Sequence, residues 1–125
     1  MKYYIDGKKY RVKPEEAYIR VNGWCFEEEG LDYELKAKVD GKRCEIVQKQ
    51  IARSDVQKKY GKKYKVTGES GFSVKVYLED KDKNPESFIL YAESRKEKQI
   101  LLQMNGKSLM KIYDDSTISY SIDWI

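Results

Sequence analysis

Two cysteines are the most reactive side chains in this sequence, and Cys25 lies beside a tryptophan in the segment Asn22-Gly23-Trp24-Cys25-Phe26. A thiol becomes a nucleophile when a neighbouring base or cation lowers its pKa, and histidine most often supplies that base. The chain has no histidine, which removes the usual Ser-His-Asp and Cys-His catalysts and the commonest zinc ligands. Two cysteines cannot complete a structural zinc site. We therefore predict no catalytic residue, no metal and no cofactor, and we interpret Cys25 as a buried thiol. We expect Cys25 and Cys44 to be reduced, with a disulfide bridge between them as the alternative if their Cα atoms lie close enough.

One acidic pair has the spacing of a DxD metal motif, namely Asp80 and Asp82. The pair lies in a lysine-rich polar turn, and the chain has none of the βαβ alternation that builds a nucleotide-binding sheet. We interpret the pair as part of a solvated loop.

Aromatic side chains offer a different chemistry, because a flat ring stacks on the apolar face of a sugar and also suits a protein interface. The chain contains eleven tyrosines. Tyr77 falls on the polar side of its predicted strand, and Tyr91 and Tyr113 are expected to do so on theirs. These three tyrosines are the candidate contacts for a glycan or a partner.

Trp24 and Arg53 could also meet a ligand, but we favour structural roles for both. Gly23 would permit a bulge or a close approach of backbone, so that Trp24 or Phe26 fills the space between two sheets. Asp55 would lie in the first turn of a helix, where the helix dipole favours a negative charge, and Arg53 would pair with it or with a carbonyl.

The segment 58–65, Lys-Lys-Tyr-Gly-Lys-Lys-Tyr-Lys, interleaves lysine and tyrosine as a nucleic-acid surface does. The net charge of the chain is only +4, and no nucleic-acid-binding motif accompanies the segment. We interpret it as a solvated basic loop and predict no nucleic-acid partner. Phosphates of a lipid-linked acceptor or an anionic membrane surface are the alternative contacts.

The elements that position these side chains follow a period of two, which is typical of strands with one buried face. The alternating apolar sets are Ile19 and Val21; Leu35, Ala37 and Val39; and Phe72, Val74, Val76 and Leu78. Asp40-Gly41 and Asn105-Gly106 are typical hairpin turns, and Asp6-Gly7 is a candidate third. The first hairpin predicts that Cys44 lies on a buried face, with these opposite pairs: Val39 and Lys42, Ala37 and Cys44, Leu35 and Ile46.

One segment favours a helix near residues 55–60. Ser54 would be its N-cap, Gln57 the capping-box partner and Gly61 the stop. Further strands are predicted at 86–93, 98–104, 107–113 and 117–124. Eight or nine short strands with one short helix predict an all-β fold, an immunoglobulin-like antiparallel sandwich, with a barrel as the alternative. We predict one domain, residues 1–125.

The order of several short motifs resembles a known family. "NGW" ends one strand, a strand and Asp-Gly hairpin follow ("YELKAKVDGKRCEI"), and "RSDV", "SGF" and "ILYAES" come later. Over residues 2–113 the chain is similar to the β-sandwich accessory domain found beside the catalytic domains of bacterial family 2 glycosyltransferases, which build cell-surface polysaccharides. The residues that carry this resemblance are given a structural role: Gly23, Trp24, Arg53, Asp55, Tyr60, Gly71 and Phe72.

The resemblance implies a noncatalytic module that binds glycan or positions a catalytic domain in the same chain or complex. A polysaccharide or a lipid-linked acceptor would be a further partner. The alternative is a protein-interaction or spacer domain without glycan affinity. The sequence contains no apolar run long enough to cross a bilayer and no secretory signal. We therefore expect a cytoplasmic domain, the N-terminal module of a longer protein, which reaches the inner membrane surface only through that protein.

Overall fold

The computed structural model describes residues 1–80 and 83–114, with side chains through Ile112. The strands are β1 (Lys2–Val12), β2 (Ala17–Phe26), β3 (Tyr33–Val39), β4 (Lys42–Arg43), β5 (Ile46–Ile51), β6 (Gly71–Tyr77), β7 (Ser87–Ser94) and β8 (Lys98–Asn105). The helices are α1 (Ser54–Tyr60) and α2 (Gly106–Asp114).

The strands form two antiparallel sheets of four strands each, which confirms the predicted all-β sandwich. Sheet 1 has the order β1-β2-β6-β5, and sheet 2 has the order β4-β3-β7-β8. This arrangement is that of an immunoglobulin constant-type sandwich with β4 added at one edge. The predicted strands at 86–93 and 98–104 are confirmed as β7 and β8.

The inward faces of the two sheets supply the core, as the period of two predicts. Val21 and Val74 of sheet 1 and Leu35 and Leu90 of sheet 2 are all buried there. Cys25 is also part of this core, which confirms its interpretation as a buried thiol.

Trp24 does not fill the space between the sheets, so that prediction is wrong. Successive side chains of a strand point to opposite faces, and Val21 and Cys25 take the inward positions of β2. Trp24 and Phe26 therefore lie on the outer face of sheet 1. Phe72, from the same set of motif residues, is the aromatic ring that enters the core from β6.

The Asp40-Gly41 hairpin is confirmed, since both residues have positive φ, 51° and 80°. Its predicted register holds through Cys44: Val39 lies opposite Lys42, and the backbone N–H of Cys44 donates to the carbonyl oxygen of Ala37 at 3.1 Å. The chain then leaves sheet 2 and enters sheet 1 as β5, where Ile46 lies opposite Val76 instead of Leu35. Cys44 sits at this crossing, where it is partly buried and packs against the core as predicted.

Asp6-Gly7 is not a hairpin turn. The two residues lie within β1, where the register against β2 shifts between Ile5 and Gly7. Asp6 is thus the extra residue of a β-bulge opposite Gly23. A Cβ atom on Gly23 would collide with the carbonyl oxygen of Tyr4, so the expected close approach of backbone at Gly23 is confirmed.

The predicted hairpin at Asn105-Gly106 and the strand at 107–113 are wrong, because α2 occupies this segment. The Oδ1 atom of Asn105 accepts hydrogen bonds from the backbone N–H and the hydroxyl of Ser108, so Asn105 caps the helix N-terminus. Leu109 and Ile112, three positions apart, join the core. The predicted strand at 117–124 lies outside the described residues.

Helix α1 begins one residue earlier than predicted and uses a different cap. Arg53 occupies the N-cap position, and no side chain caps the helix, so the capping box of Ser54 and Gln57 is not formed. Asp55 lies in the first turn as expected, and the helix ends before Gly61. The helix packs Val56 inward and brings Tyr60 beside Trp24, which covers one end of the outer face of sheet 1.

Candidate functional site

A groove of about 390 Å³ opens between β1, the outer face of β2 and the helix α1. Tyr4, Trp24 and Tyr60 supply its aromatic lining, and Asp6, Arg53 and Asp55 supply its polar lining. We call it the aromatic groove. Four of the residues that the sequence marked as structural line this single surface: Trp24, Arg53, Asp55 and Tyr60.

The polar side of the aromatic groove is a guanidinium held by two carboxylates. The Nε and Nη2 atoms of Arg53 each donate to Asp55 at 3.0 Å, in bidentate geometry, and its Nη1 atom donates to Asp6 at 2.6 Å. The hydrogen bonds from Arg53 lower the pKa of Asp55 to about 2, and those to Asp55 chiefly raise the pKa of Arg53. Arg53 and Asp55 are therefore both charged at neutral pH, and the hydrogen bonds of Arg53 fix all three side chains relative to one another.

Two local features of the backbone place this network. The bulge in β1 turns Asp6 toward Arg53, and Gly71 makes room for the arginine stem. A Cβ atom on Gly71 would lie 2.6 Å from the Cγ atom of Arg53. Since Gly71 pairs with Trp24 across sheet 1, the stem of Arg53 lies next to the indole ring.

The aromatic side of the groove belongs to a continuous cluster of rings. Trp24 stacks on Phe26 with centroids 5.8 Å apart, and its ring centroid is 5.4 Å from that of Tyr60. Phe26 and Tyr60 both contact Tyr64. Tyr4, which lies opposite Trp24 on β1, is 59% exposed. At this end of the cluster the ring of Tyr4 faces the solvent.

Lysines surround this aromatic end. The Nζ atom of Lys59 lies 5.3 Å from the centroid of Tyr60, and that of Lys2 lies 5.6 Å from the centroid of Tyr64. Both lysines also line the aromatic groove. Cation-π contacts of this kind hold the side chains over the rings without burying the ammonium groups. Part of the basic segment 58–65 thus has a defined position, at the mouth of the groove.

The structure does not bring the predicted contact tyrosines together. Tyr77 lies half-buried on the outer face of sheet 1, edge-on to Tyr18 with centroids 6.2 Å apart. Tyr91 lies on the outer face of sheet 2, where it is 4% exposed and covered by Lys98. The outer faces of a sandwich are on opposite sides, so Tyr77 and Tyr91 cannot share a ligand. The side chain of Tyr113 lies outside the described residues.

Sequence reasoning missed Asp6, Tyr4 and Lys2. A signal for the bulge was nonetheless present in β1, where Ile5 and Tyr10 both face the core. Residues five positions apart point to opposite faces of a regular strand, so one extra residue must lie between them. That residue is Asp6.

The two cysteines make no chemical site. Both are free, and burial raises the pKa of the Cys25 thiol to about 12, so that the thiolate is strongly disfavoured. Among the residues whose side chains are described, no three His, Cys, Asp or Glu groups are placed to hold a metal ion. Asp82 is outside the described residues, so the pair that it forms with Asp80 has no structural description.

No protein-family model matches the chain, and no curated protein matches it in sequence. Within the residues that the structure describes, neither helix has the length and apolar character of a membrane span. The class that the fold defines is an immunoglobulin-like β-sandwich with a groove on the outer face of one sheet.

Proposed function

We propose that this domain is a noncatalytic glycan-binding module, and that the aromatic groove is its sugar-binding site. The observation that carries the proposal is the juxtaposition of Tyr4, Trp24 and Tyr60 with the charged network of Arg53 in one concave surface. Sugars present an apolar ring face and a rim of hydroxyl groups. A site that recognises them needs flat rings for the first and fixed donors and acceptors for the second.

The network of Arg53 suits hydroxyl recognition because its members are already oriented. Each carboxylate keeps lone pairs that Arg53 does not use, and these can accept hydrogen bonds from sugar hydroxyls. Because Arg53 holds Asp6 and Asp55 in place before a ligand arrives, less side-chain freedom is lost on binding. The groove volume of about 390 Å³ falls within the range of about 300 to 1,000 Å³ that is usual for small-ligand sites.

A docking surface for another protein is the competing function, and the exposed apolar residues argue against it. Outside the groove, the described large apolar side chains with substantial exposure are Val12, Val47 and Ile100. They lie on β1, β5 and β8, which form three different sheet edges. Protein interfaces present contiguous apolar patches of several hundred Å², whereas singly scattered apolar side chains are ordinary surface.

The association with a bacterial family 2 glycosyltransferase is a further part of the proposal, supported by the order of the sequence motifs. In that setting the module would hold the growing surface polysaccharide, or a lipid-linked acceptor, close to the catalytic domain. Reading the gene beyond the codon for Ile125 tests this part. A glycosyltransferase catalytic domain there, or in an adjacent gene of the same operon, is the expected result, and its absence from both would count against the association.

Glycan binding itself is tested on an array of bacterial surface-polysaccharide oligosaccharides, followed by titration calorimetry with the best ligand. Tyr4→Ala is the most informative variant, because a side chain that is 59% exposed contributes little to folding. We expect a loss of affinity of about fivefold or more, by analogy with nucleobases, whose stacking on an aromatic side chain contributes about 1 to 3 kcal/mol. Trp24→Ala should lose at least as much.

Tyr77→Ala is the matched control, an outward tyrosine on the same face of the sheet that lies outside the groove. It should bind the ligand as the wild type does. Loss of binding in Tyr77→Ala with retention in Tyr4→Ala would transfer the site to the other end of the face. An array without signal at millimolar protein would overturn glycan binding.

A further inference from the structure

Three ammonium groups converge at the aromatic end of the groove, and each comes from a different segment. Lys2 belongs to β1, Lys59 to α1 and Lys63 to the loop that follows α1. The Nζ atoms of Lys2 and Lys63 lie 5.6 and 5.4 Å from the centroid of one ring, that of Tyr64. The ring of Tyr60, which carries Lys59, is its neighbour, with centroids 6.4 Å apart. We call Lys2, Lys59 and Lys63 the lysine group.

The lysine group has no protein counter-ion. Among the side chains that the structure describes, no carboxylate lies within ion-pair distance of these three lysines. The carboxylates of the groove and of the loop after β2 are held by other cations: Asp6 and Asp55 by Arg53, Glu28 by the N-terminal ammonium group, and Glu29 by Lys96. The positive charge at the mouth of the groove is therefore available to a ligand.

Local structure accounts for only part of this arrangement. The last turn of α1 carries Lys58 and Lys59, where the helix dipole favours a positive charge. That effect falls off within one turn of the helix, so it does not explain why Lys2 reaches the same place from β1. The cation-π contacts orient the stems, but they leave the ammonium groups in water and able to donate hydrogen bonds.

Donors and acceptors lie at opposite ends of the groove on both of its walls. Along β1, Tyr4 stands between Lys2 and Asp6, whose Cα atoms are about 13 Å apart at about 3.3 Å per residue. Helix α1 repeats this order, with Asp55 in its first turn and Lys59 in its last. A ligand with one negatively charged end therefore has a single favourable direction in the groove.

We infer that the ligand of the aromatic groove is an acidic glycan, and that the lysine group binds its carboxylate or phosphate. The inference rests on the proposed function, to which it adds the chemical class of the ligand and its direction. The sugar ring would stack on Tyr4 and Trp24, and its hydroxyl groups would meet Asp6 and Asp55. Clustered charge of one sign raises the local concentration of an oppositely charged ligand, and ammonium groups form strong hydrogen bonds with anionic oxygens.

The test is a glycan array of matched pairs. Each uronic-acid oligosaccharide is printed beside its carboxyl-reduced form, and each phosphate-bearing oligosaccharide beside its dephosphorylated form, so that the two kinds of pair distinguish a carboxylate from a phosphate. Titration calorimetry with the best pair should show about tenfold tighter binding of the acidic member. Raising the NaCl concentration from about 50 to about 500 mM should reduce this preference, because salt screens exposed charges.

Lys59→Gln and Lys2→Gln each remove one charge and keep most of the side-chain stem. Each should weaken binding of the acidic member about two- to fivefold, the range expected for one exposed ion pair. Lys42→Gln is the matched control, because it takes the same charge from an exposed lysine of β4 in the other sheet. It should bind the acidic member as the wild type does, and far-UV circular dichroism shows whether each variant is folded.

The outcomes separate this inference from the proposed function. Equal binding of both members of every pair would leave the groove a glycan site and overturn the acidic class. Equal losses in Lys42→Gln and Lys59→Gln would mean that net charge alone attracts the glycan, which would also overturn it. An array without signal would overturn the proposed function and the inference together. In that case, binding to phosphatidylglycerol vesicles that Lys59→Gln weakens would assign the lysine group to a membrane surface.

Discussion

The replacement Gly71→Ala tests how the aromatic groove is built. Gly71 is the first residue of β6 and lies between Trp24 of β2 and Ile51 of β5. A Cβ atom at this position would be 2.6 Å from the Cγ atom of Arg53 and 2.8 Å from the carbonyl oxygen of Ile51. Both distances are well below ordinary van der Waals contact, so the alanine must displace its neighbours.

The two contacts differ in how they can relax. The stem of Arg53 can rotate away, but it then gives up its hydrogen bonds to Asp6 and Asp55. The carbonyl of Ile51 belongs to a paired strand and moves only with the backbone of β5. Overpacking of this kind costs about 1 to 3 kcal/mol, while alanine regains about 0.5 to 1 kcal/mol over glycine in a strand. The difference spans about 0 to 2.5 kcal/mol, and the contact with the backbone carbonyl of Ile51 favours its upper part, so we expect Gly71→Ala to lower the free energy of unfolding by about 1 to 2 kcal/mol.

Urea denaturation followed by far-UV circular dichroism measures this change, with an unchanged slope against denaturant as the sign that the unfolded state is unaffected. Gly68→Ala is the matched control, because its Cβ atom would meet only the flexible end of Gln57, at 3.2 Å. It should leave stability within about 0.5 kcal/mol of the wild type. A Gly71→Ala protein as stable as the wild type would refute the placement of Arg53 over this glycine.

A double-mutant cycle separates the two contacts. Arg53→Ala removes the Cγ atom that the new methyl group meets, so the effects of Arg53→Ala and Gly71→Ala should not add. The expected coupling is about 0.5 kcal/mol or more, the size found for residues in contact. Additive effects would assign the whole penalty to the carbonyl of Ile51.

Three further outcomes follow from the described side chains. Iodoacetamide should modify Cys44 in the folded protein but Cys25 only on unfolding, since burial raises the pKa of Cys25 to about 12. Mass spectrometry measures the labelling of each cysteine, and labelling of Cys25 in the folded protein would contradict this expectation. Burial first, and then Glu97, raise the pKa of Glu27 above its usual 4.5. Glu27 therefore contributes favourably to the free energy of unfolding below pH 4.5, and this contribution is lost as the pH rises through the raised pKa. Glu27→Gln should therefore gain more stability at pH 7 than at pH 4 in urea denaturation, and an equal effect at both would contradict this. Leu109→Ala should cost about 2 to 5 kcal/mol by the same assay, because this α2 side chain is fully buried, and a loss below about 1 kcal/mol would refute the docking of the helix.

Local patterns predicted the sandwich because its strands obey local rules. Side chains alternate in Leu35 and Ala37 and again in Val74 and Val76, and one face of each strand is buried. The Asp40-Gly41 turn needs only the positive φ values that those two residues tolerate. These features depend on neighbours in sequence, so they can be derived from it.

The errors lie where a residue has two local solutions. Asn105-Gly106 suits a hairpin as well as a helix N-terminus, because asparagine favours both. Leu109 and Ile112 decide between the hairpin and the helix, because both side chains reach the core only if the segment is helical. The predicted register after Cys44 is wrong for a similar reason, since nothing local indicates that the chain changes sheets there.

Local sequence patterns could not predict the aromatic groove, because three segments that are distant in the sequence build it. The bulge at Asp6, the space at Gly71 and the helix after Arg53 come together only in the folded sheet. The predicted pairing of Arg53 with Asp55 is confirmed, and Asp6 joins it as a second carboxylate. The partners of Arg53 are well exposed, Asp6 at 38% and Asp55 at 67% of their side-chain surface, and exposed ion pairs contribute little to stability. Because this network adds little to folding, the proposed function gives it a role, which is to hold Asp6 and Asp55 in place beside Trp24 for the hydroxyl groups of a ligand.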